Sequence, residues 1–262
     1  RQYSREERDR ELKALIVVPT YNEKENIDEI INAVLALGEE YEILVVDDNS
    51  PDGTGAIVQG LIDSGTANGK PFQQTLHLLS RAGKNGLGTA YIAGFKYCLE
   101  KEYDYIFEMD ADFSHNPDDL TRLYTACAED GADVAIGSRY IKGVNVVNWP
   151  MGRILMSYFA SVYVRFVTRM KVQDTTAGFK CYKSEVLNTI NLDKIKFTGY
   201  AFQIEMKYTA WKLGFNIKEV DIIFTDRTEG ESKMNKSIFK EAIFGVIELR
   251  LRNVAKKHRK RA

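Results

Sequence analysis

The sequence predicts a single α/β domain built around a doubly wound, mainly parallel β-sheet. Short apolar runs rich in β-branched residues alternate with segments whose apolar residues recur at helical spacing, which is typical of a parallel sheet with right-handed crossovers. Two of the apolar runs end in acidic residues, at the edge of the sheet where such folds bind their ligands. The 262 residues are enough to bury a large core.

Five strands are predicted in the first half of the chain from apolar runs that end in turn residues or acids. They cover residues 14–18, 43–46, 76–79, 105–109 and 134–137. Pro19 follows the first strand, and Asp47 and Asp48 follow the second. Residues 1–13 are charged and show no periodicity, so we expect a frayed lead-in.

A helix is predicted after each of the first four strands. The apolar residues that define the first three helices are Ile27, Ile30, Ile31, Val34 and Leu35, then Ile57, Val58, Leu61 and Ile62, then Ala90, Ala93, Phe95 and Leu99. Asn116 and Pro117 are expected to be the cap and the first residue of the fourth helix.

The segment 149–170 is apolar around most of its circumference but carries Arg153, Arg165 and Arg169. It is either a core helix or a helix half-sunk in a membrane surface, with its arginines at the level of the headgroups. A turn from Asp174 then leads to a short strand, followed by a helix over 201–213. The alternating run 217–225 is predicted to continue the sheet, and an amphipathic helix over 238–254 follows.

Charge and composition exclude some classes of function. Lysine plus arginine total 36 and aspartate plus glutamate 37, a net charge of −1 that gives no support for a nucleic-acid partner. The basic tail from Arg250 has no acid after Glu248, and it is a solvated helix end, a nucleic-acid arm or a contact for anionic lipid. Three widely spaced cysteines fit a reducing cytosol. Neither a signal peptide nor an apolar run long enough to span a bilayer is visible in the sequence.

Asp110 and Asp112 form the acidic pair around which the sequence is organised. They directly follow the predicted strand 105–109, and carboxylates in that position need a cation or hydrogen-bond donors. Two hard oxygen ligands with open positions suit Mg²⁺ or Mn²⁺ bound to a diphosphate. The alternative is a solvated loop that caps the next helix. Asp48, two strands away, suits the hydroxyls of a ribose, although neither a P-loop nor a Gly-x-Gly-x-x-Gly motif is present.

Seven motifs occur together in an order that resembles the polyprenol (dolichol) phosphate mannosyltransferase family. They are Pro-Thr-Tyr-Asn-Glu at 19–23, Asp-Asp-Asn-Ser-Pro-Asp-Gly-Thr at 47–54, Gly-Leu-Gly-Thr-Ala-Tyr at 86–91, Met-Asp-Ala-Asp at 109–112, Gly-Ser-Arg-Tyr at 137–140, Phe-Gln-Ile-Glu-Met at 202–206 and Arg-Thr-Glu-Gly-Glu-Ser-Lys at 227–233. The resemblance implies a GT-A catalytic domain over 14–245, followed over 246–262 by the end of the last helix and the basic tail. It also implies an enzyme that moves mannose from GDP-mannose to a polyprenyl phosphate, with Mg²⁺ or Mn²⁺ as cofactor and inversion at the sugar.

The resemblance assigns roles to individual residues. Those matching the nucleotide-sugar site are Pro19, Tyr21, Glu23, Val46, Asp48, Asp110, Ala111, Asp112, Arg139, Arg227 and Lys233. The metal ligands would be Asp110 and Asp112, with Ser114 as a further polar ligand, and the catalytic set would be Asp110, Asp112 and Arg227. The residues matching the lipid-phosphate site are Arg139, Arg153, Ser157 and Lys233. Gln203 and Glu205 would contact the sugar.

The family also suggests where such an enzyme works and what it binds. The chain resembles the members with a soluble catalytic subunit, which reach the cytosolic face of a membrane through an amphipathic face, a basic tail or a membrane partner subunit. Two other transferases stay open: a polyprenyl phosphate glucosyltransferase using UDP-glucose, and a soluble GT-A transferase acting on a polysaccharide or protein hydroxyl. A non-enzymatic nucleotide-binding module would be expected to lose the acidic pair or the Arg/Lys loop, and neither is lost.

Overall fold

The computed structural model describes residues 12–38, 40–67, 70–71, 75–226, 236–252 and 254. Its strands are β1 Ala14–Thr20, β2 Tyr41–Asp47, β3 Thr66–Ala67, β4 Lys70–Pro71, β5 Leu76–Ser80, β6 Tyr105–Glu108, β7 Val134–Ser138, β8 Val146–Val147, β9 Lys180–Lys183, β10 Ile217–Asp221 and β11 Phe224–Thr225. Its α-helices are α1 Ile27–Leu35, α2 Thr54–Ser64, α3 Leu87–Glu100, α4 Asp119–Ala128, α5 Met151–Thr168, α6 Ser184–Thr189, α7 Ala201–Lys212 and α8 Lys236–Leu251.

A seven-stranded sheet in the order β10-β7-β9-β6-β1-β2-β5 forms the centre of the molecule. β1 pairs in parallel with β2 and β6, β2 pairs in parallel with β5, and β7 pairs in parallel with β10. The mainly parallel sheet predicted from the strand and helix alternation is therefore confirmed.

The short strand β9 lies between β6 and β7 and runs antiparallel to both. The sequence predicts the strand itself but not its direction or its place in the sheet. In this register Lys180 lies opposite Glu108 of β6, and the two side chains form a buried ion pair at 3.1 Å. That pairing brings the segment after residue 174 against the strand that ends in the acidic pair.

The prediction that 217–225 continues the sheet is confirmed for Ile217–Asp221 and wrong for the residues that follow. β10 pairs with β7 only as far as Asp221, and β11 pairs instead with β8 in a separate two-stranded sheet. The chain leaves the sheet edge at Ile222, which is buried, and exposes the next residue, Ile223. This break carries Phe224 and Thr225 toward the start of α5.

The core has two parts because helices cover both faces of the sheet. In β1, Leu15 and Val17 face the cluster beneath α3 and α7, whereas Ala14, Ile16 and Val18 face the cluster beneath α1 and α4. This alternation along one buried strand is what a doubly wound sheet requires. The three cysteines are buried and unbridged, as expected for a reducing environment.

Two glycines let α3 lie close to its neighbours. A Cβ at Gly94 would come within 2.4 Å of Cγ1 of Val17, and one at Gly88 within 2.7 Å of the ring of Phe202. Both contacts are too short for any side chain to be accommodated without a shift. The helix α3 therefore packs directly against β1 and α7.

The helix α5 is not a core helix, and the interfacial reading of 149–170 stays a prediction. Only a narrow stripe of Ser161, Val164 and Thr168 is buried. The opposite face exposes large apolar side chains, with Met151 at 68% and Phe166 at 85%. None of the helices in the described part of the chain combines the length and the apolar character needed to cross a bilayer.

Candidate active site

The carboxyl ends of β1, β2, β5 and β6 lie side by side and deliver most of the residues that the sequence singles out. Three of the connecting loops contain a non-glycine residue in the left-handed region: Asn22 at φ 60°, Asn49 at φ 56° and Phe113 at φ 56°. Such backbone is costly and is held by its surroundings, which is common where loops present functional groups.

The acidic pair follows β6 directly and is held from several sides. Oδ1 of Asp110 accepts a hydrogen bond of 3.2 Å from the hydroxyl of Tyr91, a fully buried side chain of α3. Asp112 is 7% exposed, and its Oδ1 accepts from the backbone N–H of Ser114 at 3.1 Å and from the Ser114 hydroxyl. The hydroxyl predicted as a further metal ligand therefore orients Asp112 in this structure.

The pair offers oxygen ligands but does not by itself enclose a cation. Within the residues that the structure describes, no group of three or more His, Cys, Asp or Glu side chains converges as a metal site. Next to the pair, a Cβ added to Gly178 would be 4.0 Å from Oδ2 of Asp110 and 3.5 Å from Nε2 of Gln203, so this space accommodates another atom. Two hard oxygen ligands of this kind fit Mg²⁺ or Mn²⁺ whose other positions are filled by substrate and water.

His115 supports the acidic loop from beneath and was not predicted from the sequence. Its Nδ1 accepts a hydrogen bond of 3.3 Å from the backbone N–H of Asp110, and its ring stacks on Phe179 at 4.8 Å. Burial lowers the pKa of His115 to about 4. The imidazole is therefore neutral at pH 7 and serves as an acceptor for the loop.

The two acids at the end of β2 have different surroundings. Asp47 accepts from the hydroxyl of Thr20 at 2.9 Å and from the backbone N–H and hydroxyl of Ser50, at 3.0 and 2.6 Å. Asp48 instead forms an ion pair of 3.0 Å with Arg81, and burial raises its pKa above the ordinary value despite the attraction of that arginine. Asp47 thus builds the loop, while Asp48 is held by Arg81.

Arg81 and Lys84 complete this side of the site, and the sequence analysis did not single them out. Arg81 donates to the hydroxyl of Thr89 at 2.7 Å as well as pairing with Asp48. Lys84 lies over the ring of Tyr21, with Nζ 4.4 Å from the ring centroid. An aromatic ring, a carboxylate and two cations therefore meet where β1, β2 and β5 end.

The other residues of the predicted nucleotide site lie in or below this region. The backbone N–H of Glu23 donates to the hydroxyl of Thr54 at 3.0 Å, which ties the loops after β1 and β2 together. Pro19 is partly exposed. Val46 is fully buried, so a nucleotide could contact it only if the residues that cover it moved. Ala111 is buried between the two acids.

Arg139 is buried directly after β7 and forms an ion pair with Asp174, which is predicted from the sequence only as part of a turn. Its Nε and Nη2 donate to Oδ2 and Oδ1 of Asp174, each at 2.7 Å, and Nη2 also donates to Thr176 at 2.8 Å. Burial opposes both charges, but their mutual attraction holds the pKa of Asp174 below its ordinary value and raises that of Arg139. A phosphate that binds Arg139 would compete with Asp174.

Arg153 and Ser157 lie one turn apart on the same side of α5 and face the protein. Nη1 of Arg153 donates to both carboxylate oxygens of Asp226 at 2.8 Å, and its guanidinium lies over the ring of Trp149 at 4.2 Å. The hydroxyl of Tyr140 donates to Oγ of Ser157 at 2.8 Å. Arg153 and Ser157, two of the four residues predicted for the lipid phosphate, therefore lie on one face of α5, and their role stays a prediction.

The predicted sugar contacts Gln203 and Glu205 point to different places. Oε2 of Glu205, which is 1% exposed, accepts from the backbone N–H groups of Lys196 and Phe197 at 2.8 and 2.9 Å. These bonds give Glu205 a structural role in this structure, and its assignment to the sugar stays a prediction. Gln203 lies near the acidic pair, and its Nε2 donates to Glu108 at 2.8 Å.

A buried polar layer lies between the sheet and α7, beneath the acidic loop. Lys180 pairs with Glu108 and donates to Gln203, while the hydroxyl of Tyr182 donates to Glu108 at 2.8 Å. Lys207 donates to the carbonyl of Ala177, and burial holds its pKa well below the ordinary value. Such a satisfied network fixes its members because an unpaired group would be costly there. Arg227 and Lys233 lie outside the described residues, so their predicted contacts stay predictions.

Comparisons with known proteins agree with the fold and with the resemblance. The family model for Glycosyl transferase family 2 matches residues 15–190. Over 240 residues the chain is 44% identical to the polyprenol monophosphomannose synthase of Mycolicibacterium smegmatis, covering 92% of this chain and 88% of the relative. It is 42% identical over 235 residues to the undecaprenyl-phosphate mannosyltransferase of Micrococcus luteus, covering 90% and 93%.

Among solved structures the fold is similar to that of a glucosyl-3-phosphoglycerate synthase from Mycobacterium tuberculosis, crystallised with Mn²⁺, UDP and glucosyl-3-phosphoglycerate. The TM-score is 0.66 and the sequence identity 17%, with 91% of this chain and 80% of that chain covered. A second structure of that enzyme, in complex with phosphoglyceric acid, matches with the same TM-score of 0.66 and 16% identity. At these identities the likeness establishes the GT-A-like fold.

Proposed function

The chain belongs to glycosyl transferase family 2, as a glycosyltransferase of the polyprenol phosphate mannosyltransferase group, and we propose that it moves mannose from GDP-mannose to a polyprenyl phosphate with inversion at the sugar. The observation that carries the acceptor and the sugar is the 44% identity, over nearly the whole chain, to an enzyme named polyprenol monophosphomannose synthase. GDP as the leaving nucleotide and inversion of the anomeric carbon come from the family resemblance and from the chemistry of the site.

The donor nucleotide occupies the edge formed by β1, β2, β5 and β6. Asp48 accepts the ribose hydroxyls, the ring of Tyr21 packs against the nucleoside, and the diphosphate extends toward Asp110 and Asp112. Arg81 keeps Asp48 in place through the 3.0 Å ion pair. In this arrangement the sugar lies on the side of the acidic pair where Gly178 and Gln203 are found.

A divalent cation, Mg²⁺ or Mn²⁺, is proposed as the cofactor, with Asp110 and Asp112 as its protein ligands. When bound, it neutralises the charge that develops on the departing diphosphate. Arg227 and Lys233, outside the described residues, are proposed to share that task. The choice between the two metals is left to measurement.

The acceptor phosphate binds at the start of α5. A phosphate monoester has a second pKa of about 6, so at neutral pH it is already largely a dianion and needs no general base. What it needs is alignment with the anomeric carbon and neutralisation of the two anionic groups that are brought together. Arg153 and Ser157 supply a cation and a hydroxyl one helical turn apart, and Arg139 lies buried behind them.

Peripheral attachment to a membrane accounts for how the enzyme reaches a lipid acceptor. The apolar face of α5 is directed away from the protein, whereas Arg153 and Ser157 are directed toward it. Apolar side chains can sink into the bilayer surface while arginines reach headgroup level. The helix α8 packs against α5 and also exposes apolar side chains, among them Phe244 and Leu251. A cytosolic site of action and a membrane partner subunit are part of the proposal.

The stereochemistry of the product tests the proposed reaction. Incubation with GDP-mannose, a short polyprenyl phosphate and Mn²⁺ should yield a β-linked mannosyl phospholipid, because attack from the side opposite the diphosphate inverts the α-linked donor. Proton and carbon NMR of the purified product distinguish the two anomers. An α-linked product, or mannose transferred to water alone, would contradict the proposal.

A further inference from the structure

Tyr91 stands out among the side chains around the acidic pair because it is fully buried and yet ends in a polar group. Its hydroxyl donates to Oδ1 of Asp110 at 3.2 Å. Its ring lies parallel to that of Phe202, with an angle of 2° and centroids 6.0 Å apart, and also stacks on Phe95 at 6.1 Å. The hydroxyl therefore cannot swing to another partner without moving two packed rings.

Asp110 is held on its other sides as well. Its backbone N–H donates to His115 at 3.3 Å, and its Oδ2 borders the space beside Gly178. A freely rotating carboxylate could bind a cation in several orientations, and it would lose that rotational freedom on binding, at an entropic cost. The buried hydroxyl selects one of these orientations before any cation arrives.

We propose that Tyr91 is a positioning residue, whose hydroxyl fixes the Asp110 carboxylate in the orientation that receives the divalent cation. This inference rests on the proposed function, because it takes Asp110 to be a metal ligand. Tyr91 lies beneath the carboxylate and is buried, so it acts through Asp110 and does not touch the substrate.

The test is the affinity for Mn²⁺ in the presence of GDP, read from the electron paramagnetic resonance signal of free Mn²⁺. Tyr91→Phe keeps the stacked ring and removes only the hydroxyl, and we expect Mn²⁺ to bind about ten- to a hundredfold more weakly, the usual effect of losing an outer-shell partner. Tyr103→Phe is the matched control. It breaks a partly buried tyrosine–carboxylate bond of 2.6 Å to Glu42, at the amino end of the sheet, and should leave Mn²⁺ affinity unchanged.

A double-mutant cycle separates positioning from general damage. In an Asp110→Asn background the further change Tyr91→Phe should cost little, because the two groups act as one unit. Phe202→Leu keeps the hydroxyl but loosens the ring, and it should weaken Mn²⁺ binding less than Tyr91→Phe does. If Tyr91→Phe fails to fold, Phe202→Leu tests the role of the Tyr91 hydroxyl in its place.

The outcomes distinguish this inference from the proposed function. Wild-type Mn²⁺ affinity in both Tyr91→Phe and Phe202→Leu, with Asp112→Asn impaired, would overturn the role of Tyr91 and leave the metal site standing. Failure of the wild-type protein to bind Mn²⁺ with GDP would overturn the metal assignment and this inference with it. Equal losses from Tyr91→Phe with and without Asp110 would show a structural role only.

A different observation, the ion pair of Arg153, carries a second inference. Both oxygens of Asp226 lie 2.8 Å from Nη1 of Arg153, and the two side chains are only 28% and 25% exposed. A carboxylate and a phosphate compete for the same guanidinium donors. Placing both anions there at once would be unfavourable, since like charges repel at close range.

We infer that the Asp226 carboxylate occupies the position on Arg153 that the acceptor phosphate takes, so that acceptor binding displaces it. This also rests on the proposed function, which assigns Arg153 to the acceptor. The exchange leaves Arg153 paired with an anion whether or not the acceptor is present. A free lipid or a soluble phosphate would each have to break the same ion pair before binding.

Calorimetric titration with inorganic phosphate and with a short polyprenyl phosphate tests this exchange. Asp226→Asn should bind both about two- to fivefold more tightly, the scale of a partly exposed ion pair, and Arg153→Ala should abolish the gain. Asp221→Asn is the control, because Asp221 pairs with Arg122 and Lys142 at 3.1 and 3.0 Å. It should not change phosphate affinity.

Weaker or unchanged phosphate binding by Asp226→Asn would overturn the inference and indicate that Asp226 holds Arg153 for the acceptor. A collapse of kcat with unchanged binding would also overturn it and would favour a carboxylate base, as in a transferase to a hydroxyl acceptor. The two phosphate titrations measure binding alone and do not depend on sugar transfer. Failure of the proposed donor would therefore be seen separately, as loss of transfer with the phosphate titrations intact.

Discussion

At the scale of single residues, the position of an acid relative to the strand end determines whether it builds a loop or faces the site. Asp47 is the last residue of β2 and accepts hydrogen bonds from its own loop, whereas the next residue, Asp48, pairs with Arg81, which directly follows the neighbouring strand β5. The sequence shows that two acids end the strand. It does not show which of them is used internally, because the deciding partner comes from another strand.

The acidic pair itself could be predicted, because its position after a buried strand is visible in the sequence. The residues that hold Asp110 in place could not be predicted. Tyr91, His115 and Gly178 lie far from Asp110 along the chain or were hidden among ordinary helix and loop residues. Contacts of this kind follow from the register of β6 and β9 and from the packing of α3, neither of which a local pattern specifies.

Asp112→Asn removes the charge of one proposed metal ligand while keeping its shape. We expect sugar transfer to fall at least a hundredfold and the melting temperature to change little, since the amide oxygen can still accept from Ser114. Transfer assays and thermal unfolding of the same preparation check this. Chelation of divalent ions in the wild-type protein should match the loss, and an active Asp112→Asn protein would contradict the metal assignment.

The donor and acceptor halves of the site can be separated by two substitutions. Arg153→Ala should raise the apparent KM for the lipid phosphate about ten- to a hundredfold and leave GDP affinity nearly intact, because a hydrogen bond to a charged group contributes ~1.5–3 kcal/mol. Asp48→Ala should weaken GDP and spare the lipid. Calorimetry with GDP beside lipid-dependent kinetics measures both. A loss of GDP affinity in Arg153→Ala with unchanged lipid dependence would contradict this division.

Glu42 gives a pH dependence of stability remote from the site. Burial alone would raise its pKa, but bonds from His77 and Tyr103, at 2.7 and 2.6 Å, hold it below the ordinary value of 4.5. Above pH 4.5 the carboxylate is ionised in both states and stabilises the fold fully. As the pH falls below 4.5, the unfolded chain takes up the proton first, and this stabilisation is lost.

Urea unfolding at a series of pH values measures that effect. Glu42→Gln should be less stable than the wild type at pH 7, and the difference should shrink as the pH falls from about 5 to about 3. Glu40 offers a control on the same segment, since Glu40→Gln leaves the bonds of Glu42 in place. A difference that stays constant over this range would show that Glu42 is not the titrating group.

At the scale of elements, α5 shows what periodicity can and cannot decide. Its apolar residues predicted a helix, and Met151–Thr168 is helical. Whether those residues are buried depended on what the rest of the fold places against them. The structure covers only the stripe at Ser161, Val164 and Thr168. A pattern that is apolar on nearly every side carries no information about which side is left exposed.

The exposed face of α5 predicts binding to membranes. Phe159→Ser combined with Phe166→Ser should weaken binding to anionic vesicles at least tenfold, because each buried aromatic side chain contributes about 1.5–3 kcal/mol. Co-sedimentation at low and high salt also tests the basic residues, each worth about 1 kcal/mol near the surface. Ile57→Ser, on α2, is the control for an exposed apolar side chain elsewhere. Wild-type binding by the double variant would place the contact on another surface.

At the scale of the whole molecule, the residues assigned to the donor and those assigned to the acceptor come from two halves of the strand order. Those assigned to the nucleotide and the metal follow β1, β2, β5 and β6, and those assigned to the acceptor lie in the elements from β7 to α5. The antiparallel strand β9 joins them through the buried Glu108–Lys180 pair. The strand and helix alternation predicts the parallel part of this sheet. It predicts a short strand at this point of the chain, but not that β9, whose four residues begin and end with lysine, runs antiparallel between β6 and β7.

The most direct test of the proposed function is a competition between two donors in one reaction. The protein is given equal amounts of GDP-mannose and UDP-glucose, each with a different radiolabel, together with a short polyprenyl phosphate and Mn²⁺, and the label in the extracted lipid is counted. If the proposed function is correct, the lipid carries mannose, glucose stays near background, and Asp112→Asn abolishes the signal. Faster incorporation of glucose, or label in the lipid that survives Asp112→Asn, would contradict it.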